Sequence, residues 1–407
     1  MNTTDLDPVG ATHPLIDTTT HRGPFVVVHS LTPLFGVCLN RDMDGLPKSI
    51  VIGGTERMRV SAQALIRAAR TWMRADASPP EQGASSRLLP EQIVLRLVDR
   101  GFDRADAIPA AALVVTAAGP SIDLTEPNKT RVMLYMAASA PDELADLAAR
   151  YWDDIKDARQ VMETLITEAS LTKNHKKVKS DKGAAGRKAR PADLVPAAMA
   201  AAAREVFAPG QIEEIALFGR MLAEIPAGGV NGAASVAHAF SVEPMELLTD
   251  EYTAHDDWNN STSKGAGMLG EQYLTSGTLY RWAALDRRAL RANLARSGTD
   301  EAAVEAAAQH AEQGFVTAMA YTLPSARSTR TGSAAWPTLT VAATCNAHLT
   351  AAAAFETAIT TPAGQEAAER LARFLHSARL NGGTARWLSP TGEPAPHLPD
   401  NVLLEAH

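Results

Sequence analysis

A glycine pair between two short β-prone runs is the sequence feature that most constrains the fold. The runs Ile50–Ile52 and Arg57–Val60 flank Gly53-Gly54, which is the spacing of a β-hairpin with a tight turn. Ser61 follows directly, and serine is a favoured helix N-cap, so we predict a helix that runs to about Arg74. This segment is therefore expected to supply both sheet and helix to the same domain.

The remaining pattern predicts a strand-helix-strand core with a large helical insertion, which is an α+β fold. The 407 residues suffice for two or three domains, or for one elaborated domain. No apolar stretch reaches the length of about eighteen residues that a membrane span needs, and the first residues lack the features of a signal peptide. Only Cys38 and Cys345 are present. We therefore expect a cytoplasmic protein with reduced thiols and no membrane partner.

The charge distribution favours a polyanionic partner, although the net charge of −7 alone does not. Residues 173–190 hold eight basic side chains against Asp181, which gives +7 and leaves −14 for the rest of the chain. Residues 41–74 hold seven basic side chains against three acidic ones, which gives +4. An acidic body with two basic concentrations is compatible with a polyanion lying on one face.

One face of the predicted helix could bind phosphate. Gln63, Arg67, Arg70 and Arg74 recur at helical spacing, and Ser61 stands at the helix start. Guanidinium groups and helix N-terminal amides both suit phosphate oxygens. The alternative, an ordinary solvated face of an amphipathic helix, remains open at this point.

The signatures of enzymes are weak. Gly265–Gly270 fits a dinucleotide pattern, but it follows a polar stretch rather than a strand, so a nucleotide-dependent oxidoreductase is only an alternative. Ser261–Lys264 fits S-x-x-K, again in a loop. Asp42 or Asp44 could hold a metal or act as a base, which would make the chain a ribonuclease. The histidines show no metal-ligand spacing, and we expect no cofactor and no resident metal.

The segment Leu39–Arg70, with its L-N-R-D run, glycine pair and arginine-bearing helix, resembles CasC, the backbone subunit of the type I-E CRISPR Cascade complex. That family shows, in order, L-N-R-D, a lysine, a G-G turn, an R-x-R strand and an S-x-Q helix start. Two later blocks are also similar to the family. The matching positions are Leu39–Asp42, Lys48, Gly53-Gly54, Arg57 with Arg59, Ser61 with Gln63, Ile215–Met221 with Val236–Ala239, and Leu269–Arg281.

The resemblance implies a modified RRM/ferredoxin-like palm with a helical fingers insertion and a β-hairpin thumb. A disordered N-terminal extension would cover residues 1–22. The palm would comprise 23–75, 206–243 and 279–407, the last with a C-terminal tail. The fingers would span 76–205, including a flexible basic loop at 173–190, and the thumb hairpin would span 244–278.

The resemblance also implies a non-catalytic subunit whose copies form a hexamer-like filament along a CRISPR guide RNA, with other Cascade subunits, and present it to a target DNA strand in antiviral defence. Residues implied to bind guide RNA are Asn40, Arg41, Arg57, Arg59, Ser61, Gln63, Arg67, Arg70, Arg327 and Arg330. Residues implied to face target DNA are Lys48, Lys173, Lys176, Lys177 and Lys179. Residues implied to form the thumb and the base wedge are Met221, Tyr252, Thr253 and Leu269.

Two points stay open within this resemblance. Ile66 stands where the family pattern leads us to expect a lysine, so one guide contact is lost or moved to Arg67 or Arg70. Met221 and Leu269 could equally be ordinary core residues. The functional alternative is an RRM-like ribonuclease of the same superfamily that uses Asp42 or Asp44.

Overall fold

The computed structural model divides the chain into two compact units. The sheet unit comprises residues 1–78, 233–291 and 305–407, and the helical unit comprises 79–232 and 292–304. The structure describes the ranges 23–75, 82–174, 191–208, 212–222, 224–225, 228–254, 268–296, 300–326, 328–332, 335–348, 350–360, 363–377 and 385–388. The predicted N-terminal extension lies outside these ranges.

Groups of strands and groups of helices follow one another along the chain. The strands are β1 (Phe25–Val37), β2 (Ser49–Ile52), β3 (Thr55–Val60), β4 (Gly83–Ser86), β5 (Leu134–Ala137), β6 (Ala234–Val236), β7 (Ala239–Ser241), β8 (Leu248–Ala254), β9 (Met268–Asp286), β10 (Leu339–Cys345) and β11 (Ala385–Leu388). The helices are α1 (Ala62–Ala75), α2 (Leu89–Asp99), α3 (Arg104–Ala118), α4 (Ala140–Arg150), α5 (Lys156–Asn174), α6 (Ala197–Glu205), α7 (Glu213–Phe218), α8 (Arg287–Ala295), α9 (Glu301–Tyr321), α10 (Ser328–Thr331) and α11 (Ala363–Ser377).

The sheet unit is built on an antiparallel sheet in the order β11-β10-β1-β9-β7-β3-β2. Strands β6 and β8 pair with β9 at different points along its length. Strand β9 has 19 residues, so it crosses the sheet and then continues beyond it as one strand of a hairpin with β8. The chain is therefore a mixed α/β protein with an antiparallel sheet, and the RRM-like character of the palm stays a prediction.

Local sequence signals explain the start of the sheet unit. Gly53 and Gly54 adopt φ values of 57° and 77°, as the turn between β2 and β3 requires. The Ser61 hydroxyl accepts a hydrogen bond from the Ala64 amide at 3.3 Å, which caps α1. The predicted hairpin, N-cap and helix are confirmed. Strand β1, which precedes this hairpin, runs from Phe25 to Val37.

Alternation along the strands divides the apolar residues of the sheet unit between two clusters. Ala239 packs with Val60 and with Leu65 of α1, whereas its neighbour Phe240 packs in a second cluster that includes α11. Successive strand residues point to opposite faces of a sheet, so β7 contributes to both clusters. This arrangement fixes α1 against the end of β3.

The helical unit has its own core, in which α3 is buried on most of its surface. The expected fingers boundary at 205 differs from the observed unit, which continues to 232. The reason is packing: Phe207, Ile215, Ile225 and Val230 all belong to the helical core. Among the helices of the described ranges, none combines the length and the hydrophobicity needed to cross a bilayer.

Arg57 is a buried structural residue, which corrects the prediction that it binds guide RNA. Its side chain is 0% exposed. The guanidinium donates hydrogen bonds to the carbonyl oxygens of Ser241 (3.1 Å) and Val242 (2.7 Å), and also to those of Phe355 (3.4 Å) and Glu356 (3.3 Å). Burial lowers the pKa of Arg57. Because these donors are used inside the protein, they are not available to phosphate.

A buried polar pair lies between β1 and β9. His29 Nδ1 is 3.0 Å from the Tyr280 hydroxyl, which accepts a hydrogen bond from the Ala351 amide at 3.0 Å. His29 is fully buried, and burial lowers its pKa from 6.5 to about 3. Burial also raises the pKa of Tyr280. The imidazole is therefore neutral in the folded protein at neutral pH.

We expect the neutral state of His29 to make folding pH-dependent. Between pH 6.5 and 3 the unfolded chain binds a proton at this position and the folded chain does not. The contribution of the neutral His29 to the free energy of unfolding is therefore complete above pH 6.5. It falls as the pH drops, by at most about 1.4 kcal/mol per pH unit. His29→Gln should flatten this part of the unfolding free energy measured by denaturant titration, and equal pH profiles for both proteins would contradict this expectation.

The buried Arg57 and the exposed Arg67 allow a matched comparison of how two arginine-to-alanine substitutions affect stability. Arg57→Ala removes a hydrogen-bond donor from four backbone carbonyl oxygens, so we expect a loss of about 2–4 kcal/mol in the free energy of unfolding. Arg67→Ala removes an exposed arginine from α1 and should change the free energy of unfolding by less than about 0.5 kcal/mol. Chemical denaturation of both variants checks this difference, and similar losses would show that Arg57 is not structural.

Candidate nucleic-acid interface

Three backbone segments meet where α1 begins. The Lys48 amide donates to the Asn40 carbonyl at 2.8 Å, and the Arg59 amide donates to the Lys48 carbonyl at 2.8 Å. The Asn40 side-chain oxygen accepts a hydrogen bond from the Ser61 amide at 3.0 Å. These bonds hold the loop after β1, the β2–β3 hairpin and the start of α1 together. We call the surface formed by Asn40, Arg41, Lys48, Arg59 and Ser61 the junction.

The junction and α1 present basic side chains with little acidic compensation. Arg41 and Arg67 are exposed, and within the described part of the chain neither has an acidic partner. The α1 sequence contains no acidic residue, and it buries Leu65, Ala69 and Met73 on the face opposite to its polar one. The predicted polar face of α1 is therefore confirmed as surface, with Gln63 and Arg67 exposed and Arg70 half-buried.

Asp42 shapes the loop that carries Arg41. One oxygen of its carboxylate accepts hydrogen bonds from the amides of Asp44 (3.0 Å) and Leu46 (2.9 Å), and its own amide donates to the Leu46 carbonyl. Hydrogen bonds of this type are typical of an aspartate that stabilises a tight loop. Within the described ranges, no group of three or more histidine, cysteine, aspartate or glutamate side chains could hold a metal.

The β8–β9 hairpin lies within the range predicted for the thumb. Thr253 pairs with Leu269, and Tyr252 pairs with Gly270. The Tyr252 ring covers Gly270 so closely that a Cβ at this glycine would lie 2.5 Å from the ring. Leu269 is 69% exposed, so it is a surface residue and not part of the core. Tyr252 and Thr253 are exposed as well.

The two faces of this hairpin differ. One face carries the exposed apolar side chains Leu248, Tyr252 and Met268, in alternate positions along the strands. The other carries Leu269 and an acidic pair, because Glu251 lies directly opposite Glu271. The predicted wedge residues are therefore divided between the faces. The described strand residues of the hairpin include no lysine or arginine, so they suit contacts with bases or ribose better than contacts with phosphate.

Met221 belongs to the helical unit and is 89% exposed. The buried Arg220 beside it anchors the loop, donating from Nε to the Gly228 carbonyl at 2.9 Å and from Nη2 to the Phe207 carbonyl at 2.7 Å. Two backbone hydrogen bonds of 2.8 Å join Arg220 and Val230. Met221 is thus held on a well-anchored loop and is not a core residue.

Several predicted residues cannot be placed. Arg327, Lys176, Lys177 and Lys179 lie outside the described residues, as does most of the basic loop. Lys173 is placed only as backbone in the last turn of α5. Arg330 is exposed on α10.

The dinucleotide pattern at 265–270 is described only from Met268 onward. Met268, Leu269 and Gly270 open strand β9, whereas a dinucleotide fingerprint leads into a helix. The oxidoreductase alternative therefore lacks its structural context.

Two residues that are at least partly exposed, Phe35 and His238, were not predicted from the sequence to have a role. Phe35 is 76% exposed at an irregularity in the β1–β9 pairing between Leu34 and Val37. An apolar residue within a strand is usually expected in the core, so the sequence gives no signal that Phe35 lies at the surface. His238 lies between β6 and β7, in a block that the sequence analysis noted without assigning it a role.

The family model and the solved structures that match this chain agree with one another. The sequence matches the family model described as CT1975-like protein over residues 26–387. A chain of a solved structure described as "CRISPR RNA-guided surveillance complex, pre-nicking" is 29% identical with a TM-score of 0.68, and the match covers 87% of this chain and 88% of that one. No curated protein sequence matches.

A chain of a second solved structure, described as "CRISPR RNA-guided surveillance complex", is 25% identical with a TM-score of 0.63. The match covers 90% of this chain and 91% of that one. Because the family match spans most of the sequence and both structural matches are nearly complete, the chain belongs to the CT1975-like protein family, which confirms its resemblance to the CasC backbone subunits of Cascade.

Proposed function

We propose that this chain is the guide-RNA-binding backbone subunit of a type I-E CRISPR surveillance complex. The observation that carries the proposal is the junction, where Arg41 and Arg59 stand at the start of the acid-free helix α1. The two similar chains both come from complexes described as RNA-guided. Copies of the subunit would assemble head to tail along one guide and work with other Cascade subunits.

The grip on the guide would be independent of sequence. Arg41, Arg59, Arg67 and Arg70 would pair with phosphates, and Gln63 would add a neutral hydrogen bond. Arginine suits this task because its planar guanidinium binds phosphate oxygens bidentately. Contacts of this kind hold a strand of any sequence in register, which a guide with a variable segment requires.

The hairpin and Met221 would act on bases rather than on the backbone. Leu269 and Met221 are apolar, exposed and carried on well-anchored segments. Apolar side chains that insert between bases unstack them without reading sequence. The acidic pair Glu251 and Glu271 would keep that side of the hairpin away from phosphates.

The finer assignments follow the same proposal. The antiparallel sheet with α1 would form an RRM-like palm, and Lys48, with the basic loop, would face the target DNA strand. We also propose that the subunit is not catalytic. Support comes from Asp42, one of whose carboxylate oxygens accepts hydrogen bonds from two amides of its own loop and so has a structural role.

Charge reversal on α1 tests the grip on RNA. Arg67→Glu with Arg70→Glu should weaken RNA binding and lower the slope of log affinity against log salt by about 0.7 for each lost phosphate contact. The measurement is the affinity of the purified full-length protein for single-stranded RNA over a range of salt concentrations. An unchanged slope would show that α1 presents only a solvated face.

The chain offers a matched control for this experiment. Arg288 on α8 and Arg373 on α11 are exposed arginines of the sheet unit. Reversing both changes the net charge by the same amount but does not touch the junction. We expect this control to lower the affinity slightly. Its slope of log affinity against log salt should differ from that of wild type by no more than the change expected for about one phosphate contact.

Truncation of the apolar residues tests the wedge. Met221→Ala and Leu269→Ala should leave the amount of bound guide RNA nearly unchanged, because phosphate contacts dominate the affinity. Chemical probing of bases in the assembled complex should show regularly spaced reactive bases in wild type and a weaker pattern in the variants. Leu171→Ala, at an exposed apolar residue of α5, is the control. The same pattern in all proteins would contradict the wedge role.

A further inference from the structure

His238 lies at the junction because of the register between β3 and β7. Arg59 pairs with Phe240, and Val60 pairs with Ala239. Continuing this antiparallel register by one residue places His238 opposite Ser61, where β3 gives way to α1. Residues at alternate positions share a face, so Arg59, Ser61 and His238 belong to the same side of these strands.

The surroundings of His238 agree with this placement. Its neighbour Ala239 packs with Val60 and Leu65 under α1, so strand alternation turns His238 to the opposite side, which is the side of Arg59. The His238 ring is half-buried, and neither of its nitrogens hydrogen-bonds to a residue that the structure describes. The side chain therefore offers polar atoms at the surface that the fold itself does not use.

His238 is a neutral group among cations. Its pKa is lowered first by burial and then by the positive charge of Arg59. A neutral imidazole carries one hydrogen-bond donor and one acceptor, whereas arginine and lysine only donate. It therefore adds an acceptor that the arginine and lysine side chains of the junction lack, and it can bind a partner that donates as well as accepts.

A ribose 2′-hydroxyl is such a partner, and it is the group that distinguishes RNA from DNA. Phosphate contacts made by Arg41 or Arg67 would be the same on either nucleic acid. We propose that His238 contacts a 2′-hydroxyl of the bound strand and so makes the junction prefer RNA over DNA. This inference rests on the proposed function, since it assumes that the junction binds a guide strand.

The test measures the affinity of the full-length protein for a single-stranded RNA and for the DNA of the same sequence, over a range of salt concentrations. His238→Phe keeps an aromatic ring but removes the hydrogen bond. We expect RNA affinity to fall by about threefold to tenfold, the DNA affinity to stay nearly constant, and the salt slope for RNA to stay at the wild-type value.

A second variant separates this role from a structural one. His238→Gln keeps a donor and an acceptor, so it should retain part of the preference for RNA even if His238→Phe loosens the fold. Equal losses on RNA and DNA, or an unchanged RNA preference in both variants, would overturn the role of His238. Absence of RNA binding by the wild-type protein would instead overturn the proposed function itself.

Discussion

The long strand β9 is the constraint on which the rest of the sheet unit depends. Along one part of its length it pairs with β1, β6 and β7 in the sheet, and along another it pairs with β8 in the hairpin. Near the base of the hairpin the Glu243 carboxylate accepts a hydrogen bond from the Thr278 amide at 2.7 Å. Because the strand is continuous, the core of the sheet sets the direction in which Tyr252 and Leu269 are presented. The hairpin is thus an extension of the sheet and not an independent appendage.

The junction depends on the same sheet through β3 and β7. Strand alternation directs Met58 and Val60 toward the cluster under α1, and it directs Arg57 and Arg59 to the other side. Arg57 is covered there and binds backbone carbonyl oxygens, whereas Arg59, nearer the strand end, is only half-buried. Arg57 and Arg59 therefore have different roles although they lie on the same face of β3. The arginine nearer the end of the strand keeps more of its side chain exposed to solvent.

Local signals in the sequence predicted local structure well. The Gly53-Gly54 turn, the Ser61 cap and the polar face of α1 each depend on residues that are neighbours in sequence. The sequence alone was therefore sufficient to predict these three features. The assignment of Arg57 to RNA was wrong because its carbonyl partners come from segments distant in sequence. The exposure of Met221 and the proximity of His238 to Arg59 depend on tertiary packing and strand register, which composition and spacing do not contain.

We propose that several copies of this chain hold one guide RNA. The most direct measurement is to purify the protein from cells together with the products of its neighbouring genes, digest with nuclease and sequence the protected RNA. We expect a uniform set of guide RNAs that share a repeat-derived end and contain variable internal sequences. Random cellular RNA, or the absence of protected RNA, would contradict this proposal.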